Sequence, residues 1–359
     1  MYIQNIKIFT YLPFFLLFFS SSCITGKTEE IEWNITEYDG NIVIESSQHL
    51  AFPDLTYYGG NWYVTYRESD AHVLGTYSKI KVLQSANFKN WTECNSFEIP
   101  GYDLRDPKFS YNEVTDSLYL HFHVVNEKGT LSANYGSFRK NYYVPFDKNS
   151  FKFNDQRFYE LKQPQNLSNF WLWRPYWYQQ NLYVGGYNNS RLVYLKYSCI
   201  TTEPVIFSEL KGQSIGETTL KIFNNRLYSI SRRKNDTLFG ELTIPIDSLG
   251  KVIIPSKIPI DTISIPIGQL SGPNMVILDS IVYLGGRSKD DTNTDRTIIY
   301  QYSLRDKNLK KIETLISYGD NSYPGFFLLG NTIYGIYYTQ NRSYNKYQIR
   351  SFSLNVDNY

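Results

Sequence analysis

The sequence predicts an all-β fold, a six-bladed β-propeller, and three observations predict it. An apolar hairpin recurs six times along the chain. A short stretch, usually with a proline, stands directly before each hairpin. Tyrosine is abundant, with 33 copies among 359 residues, and the chain is punctuated by Asn, Gly and Asp, a composition that favours strands over helices.

The first 31 residues stand apart from the repeat. Lys7 precedes an apolar run from Ile8 to Phe19 that contains Pro13 and is too short for an ordinary spanning helix. Ser20-Ser21-Ser22-Cys23 then resembles a bacterial lipoprotein cleavage box. Residues 1–22 are therefore expected to be a signal peptide, and 23–31 a tether that begins with the lipidated Cys23. This places the protein in the bacterial cell envelope, on the membrane through its lipid anchor only. Cys94 and Cys199 remain, as a disulfide or as two free thiols; the spacing does not choose between them.

Residues 32–359 carry the repeat. The hairpins begin at Leu55, Phe109, Tyr176, Leu220, Met275 and Phe326, roughly 45–65 residues apart, which suits four-stranded blades of roughly 40–50 residues with loops added. Each pairs two apolar strands about a polar turn. In the fourth, Leu220 to Phe223 leads in, Asn224-Asn225-Arg226 turns and Leu227 to Ile230 leads out. Asn tolerates the positive φ of a tight hairpin turn. Weaker strands such as 80–84 and 297–304 complete the blades. The competing arrangement is a pair of all-β sandwiches.

The stretches before the hairpins are Phe52-Pro53-Asp54, Arg105-Asp106-Pro107, Trp173-Arg174-Pro175, Gly216-Glu217-Thr218, Gly272-Pro273-Asn274 and Tyr323-Pro324-Gly325. Proline cannot donate to a sheet ladder and suits the start of a strand. First strands line a propeller's channel, so these stretches should ring one mouth of it. The second strands return there, at Arg67-Glu68, His123, Tyr187, Arg232-Arg233, Arg287 and Tyr337-Tyr338. Glu217 and Arg232 or Arg233 then meet at one rim. Charges that recur at one structural phase point to a functional mouth rather than to a scattered solvated surface.

Other classes find no support. The formal net charge of +2, without a basic tract, argues against nucleic-acid binding. No phosphate loop or paired metal-ligand spacing appears, so no cofactor and no metal are expected. His72, His121 and His123 are not spaced as a metal set, and Asp290 and Asp291 read as a solvated loop, with calcium ligation the alternative. A monomer is expected. The Trp171-Leu172-Trp173 cluster reads as core, with Trp173 the better candidate for stacking on a sugar.

At this point the chain resembles the sialidase superfamily of six-bladed propellers. Residues 67–91 are similar to its first-blade segment, with Asp70 at the acid/base aspartate and 85–91 as a degenerate Asp-box. DLRDPKFS at 103–110 resembles the start of the next blade. GETTLKIFNNRLYSISRR at 216–233 looks like the segment with a glutamate before one strand and an arginine after its return, matching Glu217 and Arg232, with Arg233 a rival. Gly319 to Tyr338 looks like the nucleophile segment, with Tyr323 as the match.

The resemblance implies a glycan substrate and an exo-acting glycosidase. Glu217 would draw the proton of nucleophilic Tyr323, and Asp70 would serve as acid/base. Arginines would clamp a substrate carboxylate, as planar guanidinium groups do; Arg232 and Arg287 are candidates. The family's first-blade Arg-Ile-Pro or Arg-Leu-Pro reads Phe52-Pro53-Asp54 here, so Arg67, Arg105 or Arg174 would have to supply the third guanidinium. A propeller that binds glycans without turnover is the alternative from a different class.

Overall fold

The structure, a computed structural model, describes residues 40–359 apart from 74–76, 127–138, 155–156, 165–166, 168–169, 189, 213 and 246–257. The proposed signal peptide, Cys23 and the tether lie outside the described residues. Among those described, no helix is long and apolar enough to cross a membrane.

The described chain forms six antiparallel sheets, five of four strands and one of five. This is the six-bladed propeller that the sequence predicts. Each predicted hairpin is the inner pair of one blade: His49–Tyr58 with Asn61–Ser69, Tyr102–Asn112 with Ser117–Asn126, Trp171–Tyr178 with Asn181–Asn188, Thr218–Phe223 with Arg226–Arg232, Ser271–Leu278 with Ile281–Lys289, and Tyr318–Leu329 with Thr332–Gln340. In the fourth blade Phe223 faces Arg226 across the turn, and Asn224 and Asn225 both have positive φ, as a two-residue hairpin requires. The last blade is completed from the other end of the domain. Asn41–Ser46 pairs with Tyr347–Asn355, so the strand preceding blade one is the outer strand of blade six. That pairing closes the ring and covers a sheet edge that would otherwise be open.

The apolar core lies between the blades. Tyr183 and Leu192 of blade three pack with Leu220, Leu227 and Leu238 of blade four, and Tyr63, Ile80 and Val82 of blade one with Leu104, Leu118 and Leu120 of blade two. Alternation along each strand sends one set of side chains to each neighbouring blade. The first strands, at the channel, bury polar groups: Asp54, Lys108, Arg174, Asn274.

A repeated distortion sits where those first strands begin. Phe52, Asp106, Arg174, Gly272 and Tyr323 each precede a proline and each has φ between 45° and 62°. The ladder register shifts at the same places, between Ala51 and Asp54, Arg105 and Lys108, Trp173 and Tyr176, Ser271 and Asn274, and Ser322 and Gly325. Steric clash normally keeps a residue before proline in the extended region, and non-glycine residues rarely take positive φ. Five blades therefore carry the same bulge, which in four of them strains a non-glycine residue and aims its side chain away from the strand, while in blade five the position is Gly272. Blade four has no proline there, and its ladder is regular from Thr218 onward.

Candidate active site

Glu217 is fixed by the regular ladder of blade four. Gly216 N–H donates to the Arg232 carbonyl at 2.8 Å and Arg232 N–H to the Glu217 carbonyl at 2.9 Å, which extends the hairpin to the rim. The two side chains meet there as the hairpin geometry predicts, with Arg232 Nη1 3.0 Å from Glu217 Oε1. A Cβ on Gly216 would lie 3.2 Å from Arg232 Nε, so a small residue leaves the guanidinium its place. The rival Arg233 pairs with Asp236 and Ser264 instead.

Tyr323 comes from the bulge of blade six. Its hydroxyl donates to Glu217 Oε1 at 2.8 Å across a sequence separation of 106 residues. Glu217 Oε2 accepts from the Gly272 N–H at 2.7 Å. Gly272 has φ +62°, and a Cβ there would sit 2.4 Å from Tyr323 Cγ, so the tyrosine ring lies directly on its backbone. Burial, then the adjacent Glu217 carboxylate, push the Tyr323 phenol well above 10, against the opposing pull of Arg232 and Arg287. The resting nucleophile candidate is a neutral phenol whose proton already points at a carboxylate.

Tyr323 and Glu217 line a cavity of about 300 Å³ with Phe52, Arg105, Trp171 and Tyr187. His72 and Arg139 line it too. Phe52 stands edge-on to the Tyr323 ring at 5.1 Å. Trp171 presents its ring to the cavity because Asp106 accepts its indole N–H at 3.0 Å and His123 stacks on it at 4.3 Å. Arg105 and Arg139 flank that indole, 5.9 and 5.4 Å from its ring centre. An aromatic ring with two guanidinium groups close by suits a sugar that bears negative charge.

Beside the cavity lies a second polar knot. Asp320 Oδ1 accepts from the Tyr338 hydroxyl at 2.8 Å and Arg287 Nη1 at 3.1 Å, and Oδ2 lies 2.8 Å from His49 Nε2 and 2.6 Å from His72 Nδ1. Burial alone would push this carboxyl up, but the hydrogen bonds from His49, His72 and Tyr338 outweigh it and hold it well below the usual range. Burial holds His49 below 6.5. His49, His72 and Asp320 are the group among the described residues whose donor atoms converge as a metal site needs, within 4.8 Å of one another. The chemistry of the donors favours a hydrogen-bonded knot. The Arg287 guanidinium already balances Asp320, and the buried Nδ1 of His49 has no acceptor for the proton that a metal at Nε2 would displace onto it.

The other expected site residues divide. Arg105, Arg232 and Arg287 stand at the mouth. Arg67 does not reach the cavity: it is fully buried, gives Nε and Nη2 to Asp103 Oδ1 at 3.0 and 2.8 Å, and gives Nη1 to the Ala71 carbonyl at 2.8 Å. Arg174 turns into the channel, with Nη1 on Asp54 Oδ1 at 2.7 Å, Nε on the Pro273 carbonyl and Nη2 on the Pro324 carbonyl. Asp70 is exposed beside Ser69 and outside the cavity lining. Trp173, expected to be the better sugar platform, is buried against Tyr323, and Trp171 lines the cavity instead. Asp290 binds Arg296 and its own loop, and Asp291 binds Lys311. Cys94 and Cys199 are free thiols.

Sequence reasoning missed His49, Asp320 and Arg139. Asp320 sits three residues before Tyr323 in the same strand, and its charge there was the available signal. Arg139 opens the third strand of blade two, outside the hairpin phase used to find the mouth.

Neither a protein-family model nor a curated protein matches this chain. Solved structures do. The Hadza microbial sialidase Hz136 is 12% identical over 84% of this chain and 66% of its own, with a TM-score of 0.61. A Trypanosoma rangeli sialidase in complex with 2,3-difluorosialic acid, a covalent intermediate, is 10% identical over 86% of this chain and 54% of its own, with a TM-score of 0.60. An exo-beta-1,3-galactanase from Phanerochaete chrysosporium is 11% identical, covers 84% of this chain and 80% of its own, and has a TM-score of 0.51. The chain thus spans less than two thirds of the length of these two sialidases. At such identities the likeness is one of fold: this chain is a six-bladed β-propeller, similar in fold to these sialidases.

Proposed function

We propose that the protein is an exo-acting glycoside hydrolase that removes a terminal sugar from a glycan, with Tyr323 as nucleophile and Glu217 as the group that takes its proton. The observation that carries this reading is the 2.8 Å bond from the Tyr323 hydroxyl to Glu217, buried on one side and open to the cavity on the other. A neutral nucleophile suits a reaction centre beside an anionic substituent, where a carboxylate would be repelled. Arg105, Arg139, Arg232 and Arg287 at or beside the cavity favour an acidic sugar, sialic acid among them. The solved propellers of like fold include glycosidases, which supports this class of reaction.

The test is release of a fluorescent aglycone from a panel of α-sialosides and other terminal glycosides, with Tyr323→Phe alongside. Turnover lost in the variant supports the reading. Binding of a glycan array without turnover of any glycoside would replace it with the non-catalytic glycan-binding alternative.

We also propose that Cys23 is lipidated and holds a monomeric propeller at the bacterial envelope. Radiolabelled palmitate should enter the wild-type chain and not Cys23→Ser. Equal labelling of the two would refute the anchor.

A further inference from the structure

We propose that His72, held by Asp320, is the acid/base of the Tyr323 site; this rests on the glycosidase reading above. The geometry around the loop after blade one's second strand carries the inference. Arg67 Nη1 binds the Ala71 carbonyl and so pins the backbone between Asp70 and His72. The pinned loop leaves Asp70 exposed beside Ser69 and puts the His72 ring on the cavity wall. Phe52 packs edge-on against both His72, at 5.3 Å, and Tyr323, at 5.1 Å, so one aromatic ring spaces the two groups.

The hydrogen bonds set the imidazole's orientation. Nδ1 of His72 is 2.6 Å from Asp320 Oδ2, a carboxylate oxygen that only accepts, so Nδ1 carries a proton. His49 meets the same oxygen from the other side, and its own Nδ1 is buried without a partner, which places its proton on Nε2. Asp320 Oδ1 is meanwhile held by Arg287 and Tyr338. The carboxylate is thus locked from four directions, and it locks His72 in turn. Nε2 of His72 makes no hydrogen bond among the described residues, and the side chain is 41% exposed where it lines the cavity. A carboxylate that orients an imidazole whose second nitrogen is open to substrate is the arrangement that general acid–base catalysis uses.

The steps balance. In the first half-reaction Tyr323 Oη bonds to the anomeric carbon and its proton passes to Glu217. The glycosidic C–O bond breaks, and the leaving oxygen takes the Nε2 proton of the His72 imidazolium. In the second half, water bonds to the anomeric carbon and gives a proton to Nε2 of His72. The bond to Tyr323 breaks, and the phenol regains its proton from Glu217.

The test compares leaving groups on whichever sugar the wild-type full chain turns over: a dinitrophenyl glycoside, which needs no protonation to leave, against an alkyl glycoside, which does. For His72→Ala, kcat/KM should fall about 10²–10⁴-fold on the alkyl glycoside and less than about tenfold on the dinitrophenyl one. Added azide should raise its turnover of the dinitrophenyl substrate and yield the glycosyl azide. Asp320→Asn, at the positioning residue, should show the same leaving-group pattern more weakly, and Asp70→Asn should show none. Equal loss on both substrates in His72→Ala and in the milder His72→Gln would make His72 structural and overturn the proposal. A leaving-group-dependent loss in Asp70→Asn, with His72→Gln unaffected, would transfer the role to Asp70. Failure of the wild-type chain on every glycoside would sink the glycosidase reading, and the acid/base role with it.

Discussion

Arg174 and Tyr323 occupy the same phase of the repeat, each the positive-φ residue before a blade's proline, yet they do opposite things. Arg174 spends its donors on the protein. It reaches Asp54 of blade one, the Pro273 carbonyl of blade five and the Pro324 carbonyl of blade six, and so links three blades to its own across the channel. Tyr323 gives its one proton to Glu217 and faces a cavity. The cavity on Arg174's side, about 260 Å³ and lined also by Asp54, Lys221 and Asn274, shares no lining residue with the one at Tyr323. The same backbone device thus builds a structural rivet at one blade and a cavity-facing phenol paired with a carboxylate at another. Side-chain length and the nearest counter-charge decide which.

This contrast can be broken at either end. Tyr323→Phe and Glu217→Gln should each lower turnover by about 10³-fold or more, as loss of a nucleophile or its proton acceptor does, while a circular-dichroism melt stays near wild type. A large fall in melting temperature in both would mean that this pair too is a rivet. Arg174→Met should instead destabilise by about 3–5 kcal/mol in urea, because it leaves the Asp54 carboxylate buried without its cation. Adding Asp54→Asn should recover part of that loss, and strict additivity of the two would remove the coupling.

Smaller changes sharpen the comparison. Gly272→Ala should cost about 1–3 kcal/mol and reduce turnover, since its Cβ falls on the Tyr323 ring at a backbone angle that favours glycine. Unchanged stability and activity would mean that the ring has room to move. The smallest effect is one of pH. Burial, chiefly, brings the Lys108 amine down to about 7, against about 10.4 in an unfolded chain. Between those values the unfolded state binds the extra proton, so this group's contribution to stability rises with pH across the window and its penalty is complete below pH 7. Lys108→Met should therefore show a flatter stability profile from pH 7 to 10 than the wild type; equal slopes would show that the amine is not the group responsible.

Much of the architecture was legible because it is local. A period-two strand, an Asn-Asn turn and a proline at the strand start are written in neighbouring residues, and six repetitions of them specify a propeller. Glu217 and Arg232 were legible for the same reason, since a hairpin with a defined turn returns its ends to one rim. The pairing of Tyr323 with Glu217 was legible only through the resemblance to sialidases, since the two residues come from different blades. The closing strand Asn41–Ser46 was not legible: its partner lies some 300 residues away, and a single outer strand has no hairpin to announce it.

What the sequence by itself determined is the repeat and the set of residues that can reach the channel. Only the tertiary structure decided which way each of them turns. Arg67 and Arg174 look from the sequence like Arg105 and Arg287, charges at one structural phase. Folding gives the first two buried carboxylates, Asp103 and Asp54, and a buried guanidinium is tolerable only when so paired. It likewise put His72 rather than Asp70 on the cavity wall, where a distant aspartate, Asp320, holds its imidazole. Pairings between blades depend on long-range geometry that no local pattern encodes.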